Sequence, residues 1–154
     1  MIRNIVVGML SLCSLSFAQS INALTVGAPA PVRAKVGTTV DAKLQLQVRD
    51  GYHVQSNTPL DKYLYALKLT WNPGALESSG ITYPKPQMEK YSFSETPLSV
   101  FSGNFEVVTK FKVSASAIPG PSAVTGKLRY QACNDTMCLP PKTIDVSLPV
   151  DIVR

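Results

Sequence analysis

The chain has 154 residues, with 15 Lys and Arg against 10 Asp and Glu and a formal net charge of +5. Its basic residues stand singly along the chain, with no basic run interleaved with aromatics, which argues against a nucleic-acid surface. A single histidine rules out a His-rich zinc site or a two-histidine blue-copper site within one chain.

The chain opens Met1-Ile2-Arg3-Asn4, one positive side chain ahead of an apolar run from Ile5 to Phe17, and Ser16-Phe17-Ala18 supplies small residues. That layout predicts a secretory signal peptide over residues 1–18, cut after Ala18, with a cut after Ala23 as the alternative. The run is too short for a good membrane span, and no later stretch is long and apolar enough. A lipoprotein reading would acylate Cys13, but Leu12 is too bulky for the usual lipobox. The remainder, 19–154, suits one domain and keeps two of the three cysteines. An exported protein meets an oxidising compartment, in which those two can form a disulfide.

Leu24 to Lys35 contains Gly27, Pro29 and Pro31 and reads as an extended lead-in. Val40, Ala42, Leu44, Leu46 and Val48 alternate with polar residues, the pattern of a half-buried strand. Asp50-Gly51 is a turn signal, and Tyr52 to Gln55 continues extended. Ser56 to Lys62 reads as loop, Leu64 to Trp71 as a strand with Leu67, Leu69 and Trp71 on one face, and Asn72-Pro73-Gly74 as its stop. Ile81 to Tyr83 is a short extended piece stopped by Pro84 and Pro86. Met88 to Pro97, which has no period, reads as loop. Leu98 to Phe101 is a short strand before the Ser102-Gly103-Asn104 turn. Phe105 to Val113 alternates as a second strong strand, and Ile118-Pro119-Gly120-Pro121 breaks the chain.

The last stretch is the most informative. Leu128, Tyr130 and Ala132 alternate with Lys127, Arg129 and Gln131, and Ile144, Val146, Leu148 and Val150 alternate with Thr143, Asp145, Ser147 and Pro149. Two strands joined by a short loop predict a β-hairpin with Cys133 and Cys138 flanking its tip, where side chains can meet another protein. Many short strands, 12 prolines and no long amphipathic pattern predict an all-β sandwich.

The sequence has no G-x-S-x-G elbow, no phosphate-binding loop and no G-x-G-x-x-G. His53 reads as a strand-end side chain, packed or solvated. The cysteine pair is the remaining chemical signal. Thiol–disulfide exchange needs a second thiol near enough to resolve a mixed disulfide formed by the first. Across a hairpin tip the two Cα atoms can approach the roughly 5.5–6 Å that a disulfide prefers. A structural clip fits the spacing as well, although so small a loop would contribute only about 2 kcal/mol. A soft Cu(I) site from Cys133, Cys138 and Met137 is chemically possible too. On the residues alone these three uses stay open.

Tyr130-Gln131-Ala132-Cys133, followed by Cys138-Leu139-Pro140-Pro141-Lys142-Thr143, resembles the N-terminal periplasmic domain of the thiol:disulfide interchange protein DsbD. Asp50-Gly51-Tyr52-His53-Val54 is similar to an early strand end of that family. Tyr91-Ser92-Phe93-Ser94-Glu95 with Pro97-Leu98-Ser99-Val100-Phe101-Ser102-Gly103 is similar to its middle. The resemblance implies an immunoglobulin-like β-sandwich with a redox cysteine hairpin at one end. It implies that electrons pass from an inner-membrane transporter to oxidised periplasmic proteins, without a cofactor or a small-molecule substrate. On it, Cys133 and Cys138 are the redox pair, and Cys138 forms the mixed disulfide. Phe93 stands where the family has a cap aromatic over the disulfide, with Tyr91 beside it, and Tyr52 lines the site. Partners implied are thioredoxin-like periplasmic proteins and, because this chain carries no membrane or thioredoxin-like segment, a separate membrane electron donor.

There are departures. The best-known family member has one more residue between its cysteines, and its acidic residues before the cap aromatic are replaced here by Tyr91 and Ser92. Asp135, between the cysteines, disfavours a thiolate. Whether the domain is an enzyme in its own right, or an exported binding module pinned by a structural disulfide, is the contrast the structure has to address.

Overall fold

The computed structural model describes residues 22–154, so the expected leader over 1–18 and Cys13 lie outside the described residues. Twelve strands and no helix make up the described part: β1 (Leu24–Val26), β2 (Val32–Lys35), β3 (Thr39–Val48), β4 (His53–Gln55), β5 (Lys68–Trp71), β6 (Leu76–Thr82), β7 (Gln87–Glu89), β8 (Leu98–Phe101), β9 (Asn104–Val113), β10 (Gly120–Tyr130), β11 (Ala132–Cys133) and β12 (Lys142–Val153). They form three four-stranded sheets, in the orders β1-β3-β9-β6, β2-β12-β10-β5 and β11-β4-β8-β7. All pairings are antiparallel except β12 with β2.

The first two sheets face each other, because each long strand buries every second residue. Ala42, Leu44, Leu46 and Val48 of β3 point inward while Asp41, Lys43, Gln45 and Gln47 stay exposed. Val146, Leu148, Val150 and Ile152 of β12 do the same from the other sheet. One core cluster joins Ala42, Phe111 and Val113 to Val124, Leu148 and Val150. A second joins Leu44, Leu46 and Val107 to Leu69, Leu128, Tyr130 and Val146, and also takes in Val54, Phe101 and Ala132 of the third sheet. The small third sheet therefore closes one end of the sandwich.

The expected strands at 40–48, 98–101 and 105–113 are present. The one expected from Leu64 starts only at Lys68, since Asp61 to Leu64 is taken up by a turn in which the Leu64 amide donates to the Asp61 carbonyl at 3.1 Å. The lead-in resolves into β1 and β2. Two strands are longer than expected. β6 begins at Leu76 and pairs with β9 through a register shift between Ser78 and Gly80. β10 begins at Gly120 and pairs with β12 as far as Tyr130 opposite Lys142. The stretch at 88–97 is loop only from Lys90 on, because Gln87–Glu89 pairs with β8. Gly51 sits at φ +79°, a conformation open to glycine, and turns the chain from β3 into β4.

Candidate functional site

β10 does not run on into Ala132. At Gln131 the chain leaves the second sheet and joins the third, where Ala132 pairs with Val54 and Cys133 with His53. Gln131 fixes this crossing from several sides. Its carbonyl accepts the Gln55 amide at 3.0 Å. Its side-chain oxygen accepts the Tyr65 amide at 2.9 Å, and its side-chain nitrogen donates to the Leu139 carbonyl at 3.3 Å. Beyond it the hairpin tip closes on itself: the Leu139 amide donates to Ala132 O and the Asn134 amide to Met137 O. Asn134 Oδ1 accepts the amides of Thr136 and Met137, the local side-chain bonding that shapes an Asx turn.

Within that tip Cys133 and Cys138 form a disulfide with an S–S distance of 2.03 Å. Their Cα atoms are 3.9 Å apart, closer than the spacing expected from sequence. The reason is local: the two residues face each other as an antiparallel bridge. Their surroundings differ. Cys133, on paired β11, is fully buried, whereas Cys138, in the loop, is only partly covered. Asp135, Thr136 and Met137 between them are exposed, Met137 by 55%.

β4 supplies the floor of the site. His53 lies directly across from Cys133, and directly opposed residues of an antiparallel pair share a face, as does Gln55 two positions on. The Gln55 side chain is fully buried and its Nε2 donates to Cys133 Sγ at 3.3 Å. Gln55 Oε1 and His53 Nε2 are buried with no protein partner. His53 is 3% exposed, and burial pushes its pKa below the usual imidazole value, against the pull of the Glu89 and Asp135 carboxylates.

The loop after β7 covers this floor. Tyr91 stacks on the His53 ring with centroids 3.9 Å apart and an interplanar angle of 15°. Its hydroxyl donates to the Glu89 carboxylate. Burial first, then that bond, pushes the Tyr91 phenol well above its ordinary value, so it stays protonated. Phe93 stacks in turn on Tyr91, with centroids 5.7 Å apart, and keeps 37% of its surface exposed. The Ser92 hydroxyl donates to the Asp135 carbonyl at 3.1 Å and so ties this loop to the cysteine loop. The Lys90 ammonium donates to the Ser94 and Glu95 carbonyls, closing the loop internally.

The structure thus joins Cys133 to Cys138 and places Tyr91 on His53, the residue paired with Cys133, with Phe93 stacked on Tyr91. Tyr52, one residue before β4, packs against the core cluster containing Val54. His53, Gln55 and Glu89 complete the surroundings, and sequence reasoning gave none of them a role at the cysteines. The signal was weak: β4 has only three residues, all buried, so no alternation marks which face meets the disulfide.

The family model described as "Thiol:disulfide interchange protein DsbD, N-terminal" matches residues 22–149. Among solved structures, the N-terminal periplasmic domain of ScsB from Proteus mirabilis is similar at 16% identity and a TM-score of 0.53, covering 83% of this chain and 44% of that one. This chain therefore spans less than half of that solved chain. The seventh ScaB type I cohesin from Pseudobacteroides cellulosolvens is similar at 15% identity and a TM-score of 0.49, covering 84% and 92%. No curated protein matches the chain.

Proposed function

Because the chain belongs to the family of the N-terminal domain of the thiol:disulfide interchange protein DsbD, we propose that it is a periplasmic thiol–disulfide exchange module working through Cys133 and Cys138. The observation that carries this is the unequal burial of one disulfide: Cys138 is partly exposed, while Cys133 is fully buried. In the reduced module the Cys138 thiolate attacks a partner disulfide. A bond forms between Cys138 Sγ and one partner sulfur, and the other partner sulfur leaves as thiolate. Cys133 then attacks Cys138 Sγ, restores the Cys133–Cys138 bond and frees the second partner sulfur. Two electrons have passed to the partner. A separate membrane or thioredoxin-like donor re-reduces the module by the reverse steps.

On this reading residues 1–18 are the leader, 19–154 the exported domain, and Tyr91 and Phe93 the cap that opens to admit a partner. Tyr52 supports β4 from the core side. The partners are thioredoxin-like proteins of the periplasm. Trapping tests the proposal. Cys133→Ala should accumulate a mixed disulfide through Cys138 with an oxidised CXXC thioredoxin-like protein, and Cys138→Ala should not. The wild-type pair should also titrate above about −300 mV, the level below which structural bridges of secreted proteins sit. No adduct, together with a potential below that level, would leave an exported binding module with a permanent clip.

A further inference from the structure

Gln55 presents a chemical oddity. It is a fully buried amide whose nitrogen donates to a disulfide sulfur and whose oxygen has no hydrogen-bond partner. Its orientation follows from chemistry, since a disulfide sulfur carries lone pairs and no proton, so only the NH2 end can face Cys133 Sγ favourably. A sulfur of that kind is a poor acceptor, and a buried oxygen without a partner is destabilising. In the oxidised form, then, this amide is poorly used. A hydrophobic residue would fill the space at less cost.

Reduction changes the account on both ends. We propose that Gln55 is a catalytic residue of the exchange reaction: its side-chain N–H hydrogen-bonds to Cys133 Sγ and stabilises the negative charge that collects there when the disulfide opens, and its oxygen accepts a hydrogen bond from the Cys133 thiol once the pair is reduced. This rests on the exchange reading only in giving the reduced pair a working role. When a dithiol protein opens the bond, its thiolate forms a new bond to Cys138 Sγ, the reachable sulfur. The Cys133–Cys138 bond breaks, and its electron pair moves to Cys133 Sγ. The donor's second thiolate then closes the donor disulfide and releases Cys138, and solvent protonates the two sulfurs.

The surroundings make a neutral donor useful at that point. Burial keeps the neighbouring His53 ring neutral, so it brings no positive charge to the leaving sulfur. Glu89 faces the site from β7, and Asp135 sits in the loop between the cysteines, and both carboxylates oppose a second negative charge nearby. The Tyr91 phenol is engaged with Glu89. Gln55 is the residue whose N–H already lies against Cys133 Sγ, and hydrogen bonds strengthen when the acceptor becomes charged. The free oxygen needs only a turn about the last side-chain torsion, which is broad in glutamine, to meet a thiol proton.

The test uses the intact protein and Gln55→Met, which keeps the length and unbranched shape of the side chain and removes both hydrogen-bonding ends. The equilibrium constant with a dithiothreitol or glutathione couple should move about tenfold towards the disulfide, about 30 mV for the two-electron couple. The rate of opening by dithiothreitol should fall by a similar factor. Denaturant unfolding of both redox forms provides the discriminating readout: the variant should weaken the reduced form more than the oxidised one. Equal weakening of the two forms, with the equilibrium constant unchanged within twofold, would reduce Gln55 to a packing residue and overturn the proposal. Should Gln55→Met fail to fold, Gln55→Glu keeps the volume, replaces the donor by a carboxylate, and should move the constant in the same direction. No movement there overturns it equally. A wild-type protein that ignores CXXC partners while Gln55→Met still moves the dithiothreitol constant would refute the exchange reading and support the role of Gln55.

Discussion

The hold of the loop after β7 on β4 and on the cysteine loop can be weighed and then removed. Two contacts tie the loop after β7 to the rest of the site: the Tyr91 ring stacked on His53 at 3.9 Å, and the Ser92 hydroxyl donating to Asp135 O at 3.1 Å. An aromatic pair of this kind contributes about 0.5–1.5 kcal/mol beyond its buried area. An exposed neutral hydrogen bond sits at the low end of the usual range, about 0.5 kcal/mol. Together they hold the loop down by about 1–2 kcal/mol, a closed-to-open ratio of roughly 5 to 30 at 1.4 kcal/mol per tenfold. If attack on Cys138 Sγ passes through the open loop, Tyr91→Ala should raise the rate of disulfide reduction about fivefold. Adding Ser92→Ala should take it about twofold further. The assay is the pseudo-first-order rate of opening by dithiothreitol, quenched with acid, alongside the unfolding free energy of each variant. Phe93→Ala should act more weakly, because Phe93 touches the site through Tyr91. Rates that stay within twofold of wild type, or that rise only in step with a lowered global stability, would show that this loop does not govern access to the sulfurs.

Other consequences follow from burial and sterics. In the reduced protein an alkylating reagent should modify Cys138 well before Cys133, since the former is partly exposed and the latter is not, and mass mapping of a time course reads the order directly. His53 has its pKa lowered by burial, so the unfolded chain takes up a proton first as pH falls below about 6.5. The stability held by keeping this ring neutral is therefore complete at pH 7 and is lost on acidification, at up to about 1.4 kcal/mol per pH unit until the folded ring also titrates. His53→Phe should flatten that part of the stability profile between pH 7 and 5, measured as a difference from wild type. At Gly126 an added Cβ would meet Thr70 O at 2.5 Å and Trp71 Cε3 at 2.8 Å, which forces β5 away from β10. Gly126→Ala should cost about 1–3 kcal/mol in denaturant unfolding with both redox forms affected alike. The exposed Lys127–Asp145 pair, at 2.8 Å, should by contrast contribute less than about 1 kcal/mol in a double-mutant cycle.

The long strands were legible because their alternation is carried by side chains of unlike character, as in Val40 to Val48 and Phe105 to Val113. β6 and the first half of β10 were not. Leu-Glu-Ser-Ser-Gly and Gly-Pro-Ser-Ala-Val-Thr-Gly have small or polar residues with weak strand preference, and they are held by their neighbours β9 and β12 instead. The switch of sheets at Gln131 was hidden for a subtler reason. Tyr130, Gln131 and Ala132 still alternate apolar and polar in sequence, although all three are buried, so the residue pattern shows no break where the chain changes partners. The disulfide could be picked out because its two cysteines are close in sequence and resemble a family pattern. The floor could not: Gln55 reaches Cys133 across 78 positions of chain, and pairing over such a distance leaves no local trace.

That change of partners is also what gives the two sulfurs different lives. Had β10 continued against β12, both cysteines would have stood on one ladder with similar exposure. Instead Cys133 is carried onto β11, pinned by β4 and by the several bonds of Gln131, while Cys138 stays in a five-residue excursion shaped by Asn134. The hydrogen bonds of the tip and the pairing of β11 with β4 are independent of the disulfide bond. What the closed bond adds to stability is also small, about 2 kcal/mol for a loop of this length by chain entropy. Against it stand two core clusters, one joining the two large sheets and one joining all three, neither of which includes a cysteine. A scaffold that keeps its shape whether the sulfurs are joined or apart can present the same face to an electron donor and to an acceptor. In a fold that depended on the disulfide, reduction would dissolve the surface the next partner has to find.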